Sequence, residues 1–174
     1  MSRPRAPSHP PLPSGSCHCG LIRYTLRTLI TPTNTLKCNC SLCVKYGKLA
    51  HLLPSPSTDI TLLSPLPFGA PLQVIGATAV QETLESRELA DVVGSYRFGR
   101  GWVTNYFCRR CGVHTFAIGN PREEDGEVGV GVNVNALDGL DASGMEWRCA
   151  GYYVDGRRDF EGGVGGRPFE GGRW

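Results

Sequence analysis

Cys38-Asn39-Cys40-Ser41-Leu42-Cys43 places three thiols in six residues, spaced C-x-C-x-x-C. A turn that wraps this stretch around a soft cation such as zinc brings the three sulfurs to one point. Structural zinc takes four protein ligands, whereas three ligands and an open fourth position is the arrangement of catalytic zinc. The nearest other cysteine, Cys19, belongs to a different motif.

Upstream, Cys17-His18-Cys19-Gly20 is a C-x-C pair ending in a glycine that permits a tight turn. Downstream, Cys108-Arg109-Arg110-Cys111-Gly112 is a C-x-x-C knuckle with a trailing glycine, a form whose backbone amides can point back at the sulfurs. Two plus two makes a closed tetrahedral site. If these motifs share a zinc, residues about ninety positions apart are stapled together and the middle motif stands alone with three ligands. Cys149 is the eighth cysteine. It either completes the middle site, making both metals structural, or is a small buried hydrophobe. His18 and His114 lie inside or beside the ligand motifs and read as neighbours of the ligands, because the four-sulfur count is complete without them.

The chain has 174 residues, 40% hydrophobic and 20% charged, enough for one core, so a single domain is expected. Its 23 glycines and 13 prolines favour turns and short strands over long helices. A formal charge of +2 gives no electrostatic case for nucleic acid or membrane, and two zinc ions on seven thiolates would move it to about −1. The N-terminus lacks the apolar run of a signal peptide, and no window reaches the roughly 18 apolar residues of a membrane span. The chain therefore reads as intracellular, where clustered cysteines bind metal rather than form disulfides.

Residues 1–14 are a Pro- and Ser-rich lead-in, expected as a disordered tail. Leu21 to Leu26 alternates with period two, Ile22, Tyr24 and Leu26 sharing one face, which predicts a strand. Val44 to Gly47 reads as a turn or one helical turn, and Leu49 to Leu53 and Ile60 to Leu63 as strands. A loop follows over 64–76, within which Leu72 to Ile75 can pair with a sheet. Ala77 to Val93 carries Val80, Leu84, Leu89, Val92 and Val93 near helical spacing and predicts the one inserted helix. Val103 to Phe107 and His114 to Ile118 predict a hairpin with the C-x-x-C knuckle at its tip. Val128, Val130, Val132 and Val134 alternate with glycine or asparagine, the pattern of a half-buried strand, and Trp147 to Tyr153 is a further strand candidate. From Gly156 the Gly/Arg-rich composition predicts a mobile tail over 156–174.

In this order, the segments GSCHCGLIRY (15–24), KCNCSLC (37–43), SYRFG (95–99), NYFCRRCGVHTF (105–116) and VNVNALDG (132–139) resemble the glutathione-dependent formaldehyde-activating enzyme family, which includes the centromere protein V domain. The resemblance covers roughly residues 15 to 140 of a domain expected over 15–155. It implies a mainly β architecture, a β-tent of twisted antiparallel sheets, with a structural zinc on Cys17, Cys19, Cys108 and Cys111 and a catalytic zinc on Cys38, Cys40 and Cys43. Two segments depart from the family pattern: an insertion at about 67–93, and the C-terminal tail.

The resemblance also implies a carbon-sulfur lyase activity, the joining of the glutathione thiol to formaldehyde or the reverse. The expected partners are thus a small-molecule thiol and a carbonyl compound. Glutathione carries two carboxylates, so Arg97, Arg100, Lys45 and Lys48, close to the key motifs in sequence, are the candidate cations for it. Two other readings stand beside this one. The first is a non-catalytic zinc-binding scaffold or interaction domain, as the centromere relatives suggest. The second is a lyase acting on another thiol adduct. On any of these readings the expected location is cytoplasmic or nuclear. No motif specifies an oligomeric state.

Overall fold

The computed structural model describes residues 12–119, 128–140, 150–158, 160 and 162–170. In chain order the strands are β1 (Ser14–Ser16), β2 (Arg23–Leu26), β3 (Leu36–Cys38), β4 (Ala50–Leu52), β5 (Ile60–Ser64) and β6 (Val74–Ile75). They continue with β7 (Val93–Tyr96), β8 (Val103–Cys108), β9 (His114–Gly119), β10 (Val130–Asn133), β11 (Tyr152–Val154) and β12 (Val164–Gly165). Helices α1 (Ser41–Tyr46), α2 (Pro56–Asp59) and α3 (Ala77–Leu84) are short, and the described fold is mainly β. No helix among the described residues is long and apolar enough to cross a membrane.

Among the described residues the strands form two sheets. The smaller has the order β1-β2-β5-β6 and the larger β12-β11-β3-β4-β10-β9-β8-β7. The pairing is antiparallel, as expected, except that β11 runs parallel to β3. The late segment reaches that edge by a long crossover, which a parallel pair requires.

The core lies between the sheets. Ile22, Tyr24 and Leu26, predicted to share a face, are fully buried, and the intervening Arg23 is exposed. They meet Tyr106, Phe116, Ile118, Val130 and Val132 of the larger sheet. The Tyr24 ring stands edge-on to Phe116 at 5.1 Å, and Phe116 lies 5.9 Å from Tyr106. Gly15, opposite Tyr24 in the β1-β2 ladder, carries no Cβ because one there would overlap the Tyr24 ring.

Three expectations need correction. The helix predicted over Ala77 to Val93 ends at Leu84, followed by a 3-10 turn at Arg87–Leu89, and Val93 opens β7. Ser86 is extended (φ −62°, ψ 145°), which breaks the helix, and Val93 pairs with Cys108 instead. Val80, Leu84, Leu89 and Val93 are nonetheless all buried, so their spacing reported burial correctly but was spread over three kinds of backbone. Beside α3, helices α1 and α2 add one to two turns each, α1 overlapping the stretch read as a turn or one helical turn. At the ends of the chain, β1 begins at Ser14, inside the expected lead-in, and Val164–Gly165 of the expected tail pairs with Tyr153 and Val154. The rest of the lead-in (1–11), Trp147, Cys149 and Trp174 lie outside the described residues.

Candidate metal centres

Two knuckles, one from each sheet, meet at the first centre. The β1-β2 connection turns through Gly20 (φ +75°), with the Gly20 amide donating to the Cys17 carbonyl at 2.9 Å. The β8-β9 hairpin turns through Gly112 (φ +75°), whose amide donates to the Cys108 carbonyl at 2.8 Å. These turns gather Cys17, Cys19, Cys108 and Cys111 so that their sulfurs all lie within 4.8 Å of one another. Cys17 Sγ is 3.6 Å from Cys19 Sγ, which is 3.5 Å from Cys108 Sγ. Tetrahedral zinc with Zn-S bonds near 2.3 Å spaces its sulfurs about 3.8 Å apart, so the donor set fits that ion. The Ile22 amide donates to Cys17 Sγ at 3.2 Å, the back-bond that supports a thiolate ligand. Burial pushes the Cys17 and Cys108 thiols up, Cys108 to about 12, so the buried half of this cluster stays protonated unless a cation compensates it.

The second centre is built at the end of β3. Cys38 closes the strand, and Cys40 is the N-cap of α1, its sulfur accepting the Cys43 amide at 3.4 Å. The Cys40 amide points to Cys38 Sγ at 3.5 Å. The three sulfurs again lie within 4.8 Å of one another, and no fourth His, Cys, Asp or Glu among the described residues joins them. The helix stops at Gly47, which takes the left-handed conformation (φ +59°), while the Lys48 amide caps the Cys43 carbonyl at 3.0 Å. This C-cap turns Lys48 inward.

Hydrogen bonds from the Cys38 and Cys43 thiols hold Cys40 far below the ordinary thiol range, while those same contacts, with burial, push Cys38 and Cys43 up. Cys38 and Cys43 therefore keep their protons near neutral pH, and a dication must displace both. Affinity for zinc at this centre should fall about a hundredfold per pH unit on acidification through the neutral range, two protons competing for each metal. Chelator competition between pH 6 and 8 measures that slope.

Neither His18 nor His114 joins the two sulfur clusters. His18 is exposed, and His114 is buried, stacked on Tyr46 at 5.1 Å with Nε2 3.2 Å from Asn105 Oδ1. Desolvation, and then the nearby Lys48 charge, lowers the His114 imidazole to about 3, so it is neutral at working pH.

The candidate cations separate. Lys48 is buried and lines a pocket of about 250 Å³ together with Cys38, Cys40 and Cys43. Arg100 stacks over Trp102 (5.1 Å) and lines an adjoining recess that shares Cys40, Phe98, Val103 and Phe160 with that pocket. Arg97 instead pairs with Glu85 at 2.7 Å and donates to the Thr104 hydroxyl at 2.7 Å, and Lys45 is exposed on α1.

The pocket lies on the side of the larger sheet away from the core, as the register dictates. Thr104, Tyr106, Phe116 and Ile118 turn inward, so their alternates Val103, Asn105, Ala117 and Gly119 face the other way, in cross-strand pairs. Gly131 of β10 pairs with both Ala117 and Leu52, extending the same floor towards β4. In the run Val128-Gly129-Val130-Gly131-Val132 the valines fill the core and the glycines leave the hollow. The sequence reading found the valines but missed the glycines, although glycine at alternate strand positions marks a place left open for close approach.

A second missed feature holds the Cys38–Cys40 loop from behind. The Asn39 side chain donates to Asp155 Oδ1 at 2.8 Å and accepts the Arg157 amide at 3.1 Å, and Arg157 Nε donates to the Asn39 carbonyl at 3.1 Å. Gly156 lies against the sulfurs; a Cβ there would overlap Cys38 Sγ and come within 3.1 Å of Cys40 Cβ. Gly156→Ala should therefore weaken zinc at this centre by about 10–100-fold, the usual effect of disturbing the layer behind the ligands. Chelator titration should show one of two zincs released early and the other unchanged.

No family model matches the chain. A solved structure of a Rhodobacter sphaeroides protein, a structural-genomics target, is similar at 25% identity over 75% of this chain and 92% of its own, with a TM-score of 0.49.

Proposed function

We propose that the three-thiol centre is the catalytic site of a carbon-sulfur lyase, which adds a thiol to a small carbonyl compound or takes such an adduct apart. One observation carries this reading: Cys38, Cys40 and Cys43 form part of a pocket wall, with no fourth ligand among the described residues. Zinc held by three protein ligands offers an exchangeable position and keeps a thiol bound there deprotonated near neutral pH.

The chain supplies the rest. Three thiolates facing a dication leave a local charge of −1, a poor setting for activating water but compatible with a thiol. Lys48 offsets that charge from within the pocket, and Lys48 and Asn105 are the non-cysteine polar side chains lining it among the described residues. In the addition direction the thiol sulfur bonds to the carbonyl carbon, the carbonyl π pair moves to oxygen, and the thiol proton ends on that oxygen. Lys48 is the group placed to steady the developing oxyanion. The reverse reaction breaks the same carbon-sulfur bond and returns the proton to sulfur. The remainder of the wall is apolar.

The resemblance of the cysteine motifs to the formaldehyde-activating family makes formaldehyde the first carbonyl to try, with glutathione as one member of a panel of thiols and Lys48 and Arg100 as the cations nearest the site. The test is native mass spectrometry of the zinc-loaded chain with a panel of thiols, alongside exchange NMR of thiol-formaldehyde adducts. The reading predicts two zincs, one exchangeable thiol per chain, and adduct exchange at least about tenfold above the buffer rate. Two zincs with no thiol uptake and no acceleration across the panel would leave a zinc-pinned scaffold in its place.

A further inference from the structure

We infer that the pocket beside the three-thiol centre takes the apolar body of its thiol or thiol adduct, a single small ring or short branched alkyl group with at most one negative charge, and that glutathione is not its ligand. This rests on the reading of the centre as an open thiol site and names the class of molecule that enters it.

Three observations converge. First, the hollow is small. About 250 Å³ lies below the roughly 300–1,000 Å³ of pockets that enclose drug-sized ligands. Second, its walls are aliphatic and aromatic. Leu36, Leu42, Leu52, Val103, Phe98 and Phe160 stand around a floor of alanine and glycine. Phe98 and Phe160 are 41% and 45% exposed, although both rings border the cavity. Phe160 is also held at φ +68°, a conformation strained for a non-glycine residue, and its amide is fixed to the Asp155 carbonyl at 3.0 Å. A costly backbone that places an aromatic ring at a cavity mouth is the kind of outlier found at ligand clamps.

Third, the charge inventory matches one anionic or carbonyl group. Lys48, 9% exposed, is the one charged residue besides the cysteines in the wall among the described residues. Glutathione brings two carboxylates and an ammonium. Arg97 is committed to Glu85, Arg100 stacks over Trp102 in the adjoining recess, and Lys45 lies outside on α1. Burying the tripeptide would leave at least one charge unpaired, an expensive state in an apolar wall.

The test is isothermal titration of the full zinc-loaded chain, two zincs confirmed by elemental analysis, with phenylmethanethiol and with glutathione under anaerobic conditions. Phenylmethanethiol should bind at least tenfold more tightly. Gly131→Val should abolish that preference while keeping both zincs. A Cβ at Gly131 meets nothing nearer than Leu52 Cδ2 at 3.5 Å, so the added methyls enter the cavity rather than the fold. Should that variant lose a zinc, Phe98→Ala reads the same wall from its exposed rim and should cost phenylmethanethiol about tenfold while sparing glutathione. Equal or tighter binding of glutathione, or a preference that survives Gly131→Val with both zincs bound, overturns the inference and leaves the open-site reading standing. Failure of both thiols to bind the two-zinc protein removes the open site itself.

Discussion

Cys108→Ser should cost the chain one zinc and most of its stability. The Cys108 side chain is fully buried, and its sulfur belongs to the cluster that joins the β1-β2 connection of one sheet to the β8-β9 hairpin of the other. Structural zinc contributes about 10–16 kcal/mol of apparent binding free energy, against about 5–15 kcal/mol for the net stability of a typical domain. Losing one of four thiolates therefore need remove only part of that energy to dominate. A loss on the order of 5 kcal/mol lowers Tm by about 10–20 °C in a domain of this size. Tyr24, Phe116 and Tyr106 still favour contact between the sheets, so the variant should keep much of its β signal in circular dichroism while becoming sensitive to protease. A variant that melts within a few degrees of the parent would mean that this cluster does not pin the sheets.

Cys40→Ser should do the opposite, sparing the fold and abolishing turnover. The loop that carries Cys40 is held by contacts that need no metal. Asn39 bonds to Asp155 and Arg157, the Asn39 amide donates to the Val154 carbonyl at 3.2 Å, and the Asn135 side chain donates to the Gly47 carbonyl at 2.9 Å. Serine keeps the N-cap of α1, since its hydroxyl accepts an amide as well as sulfur does. The site, however, would be left with two thiolates, too few to retain zinc against a chelator. Elemental analysis should fall from two zincs to one, and adduct exchange to the buffer rate, with Tm lowered by no more than about 5 °C. Full activity in Cys40→Ser would contradict the assignment of the centre.

The contrast between these variants shows which parts of the molecule were legible in the chain. The grouping of seven cysteines into three motifs follows from spacing alone, because a C-x-C or C-x-x-C turn has little choice about where its sulfurs go, and it is the fold that joins the first motif to the third. The buried faces of Ile22-Tyr24-Leu26 and Val128-Val130-Val132-Val134 were equally open to period-two reading, because one side of each strand meets the core. What could not be read are relations made by distant segments. Asp155, Gly156 and Arg157 close on Asn39 from more than a hundred positions away, from a stretch whose composition resembles a tail. Arg97, beside a motif and attractive as a substrate cation, is taken by Glu85 at the end of α3. The pocket floor exists only because β4, β9 and β10 bring Ala117, Gly131 and Leu52 into one register, which no single strand encodes.

The most direct measurement is a crystal structure of the zinc-loaded chain with data collected at the zinc absorption edge. Four cysteine sulfurs should surround the metal at Cys17, Cys19, Cys108 and Cys111. Three should surround the metal at Cys38, Cys40 and Cys43, with the remaining position taken by solvent or by an added thiol that lies against Leu52 and Phe98. A fourth protein ligand fixed on the second metal, whether Cys149, which lies outside the described residues, or an imidazole, would contradict this arrangement and make both centres structural.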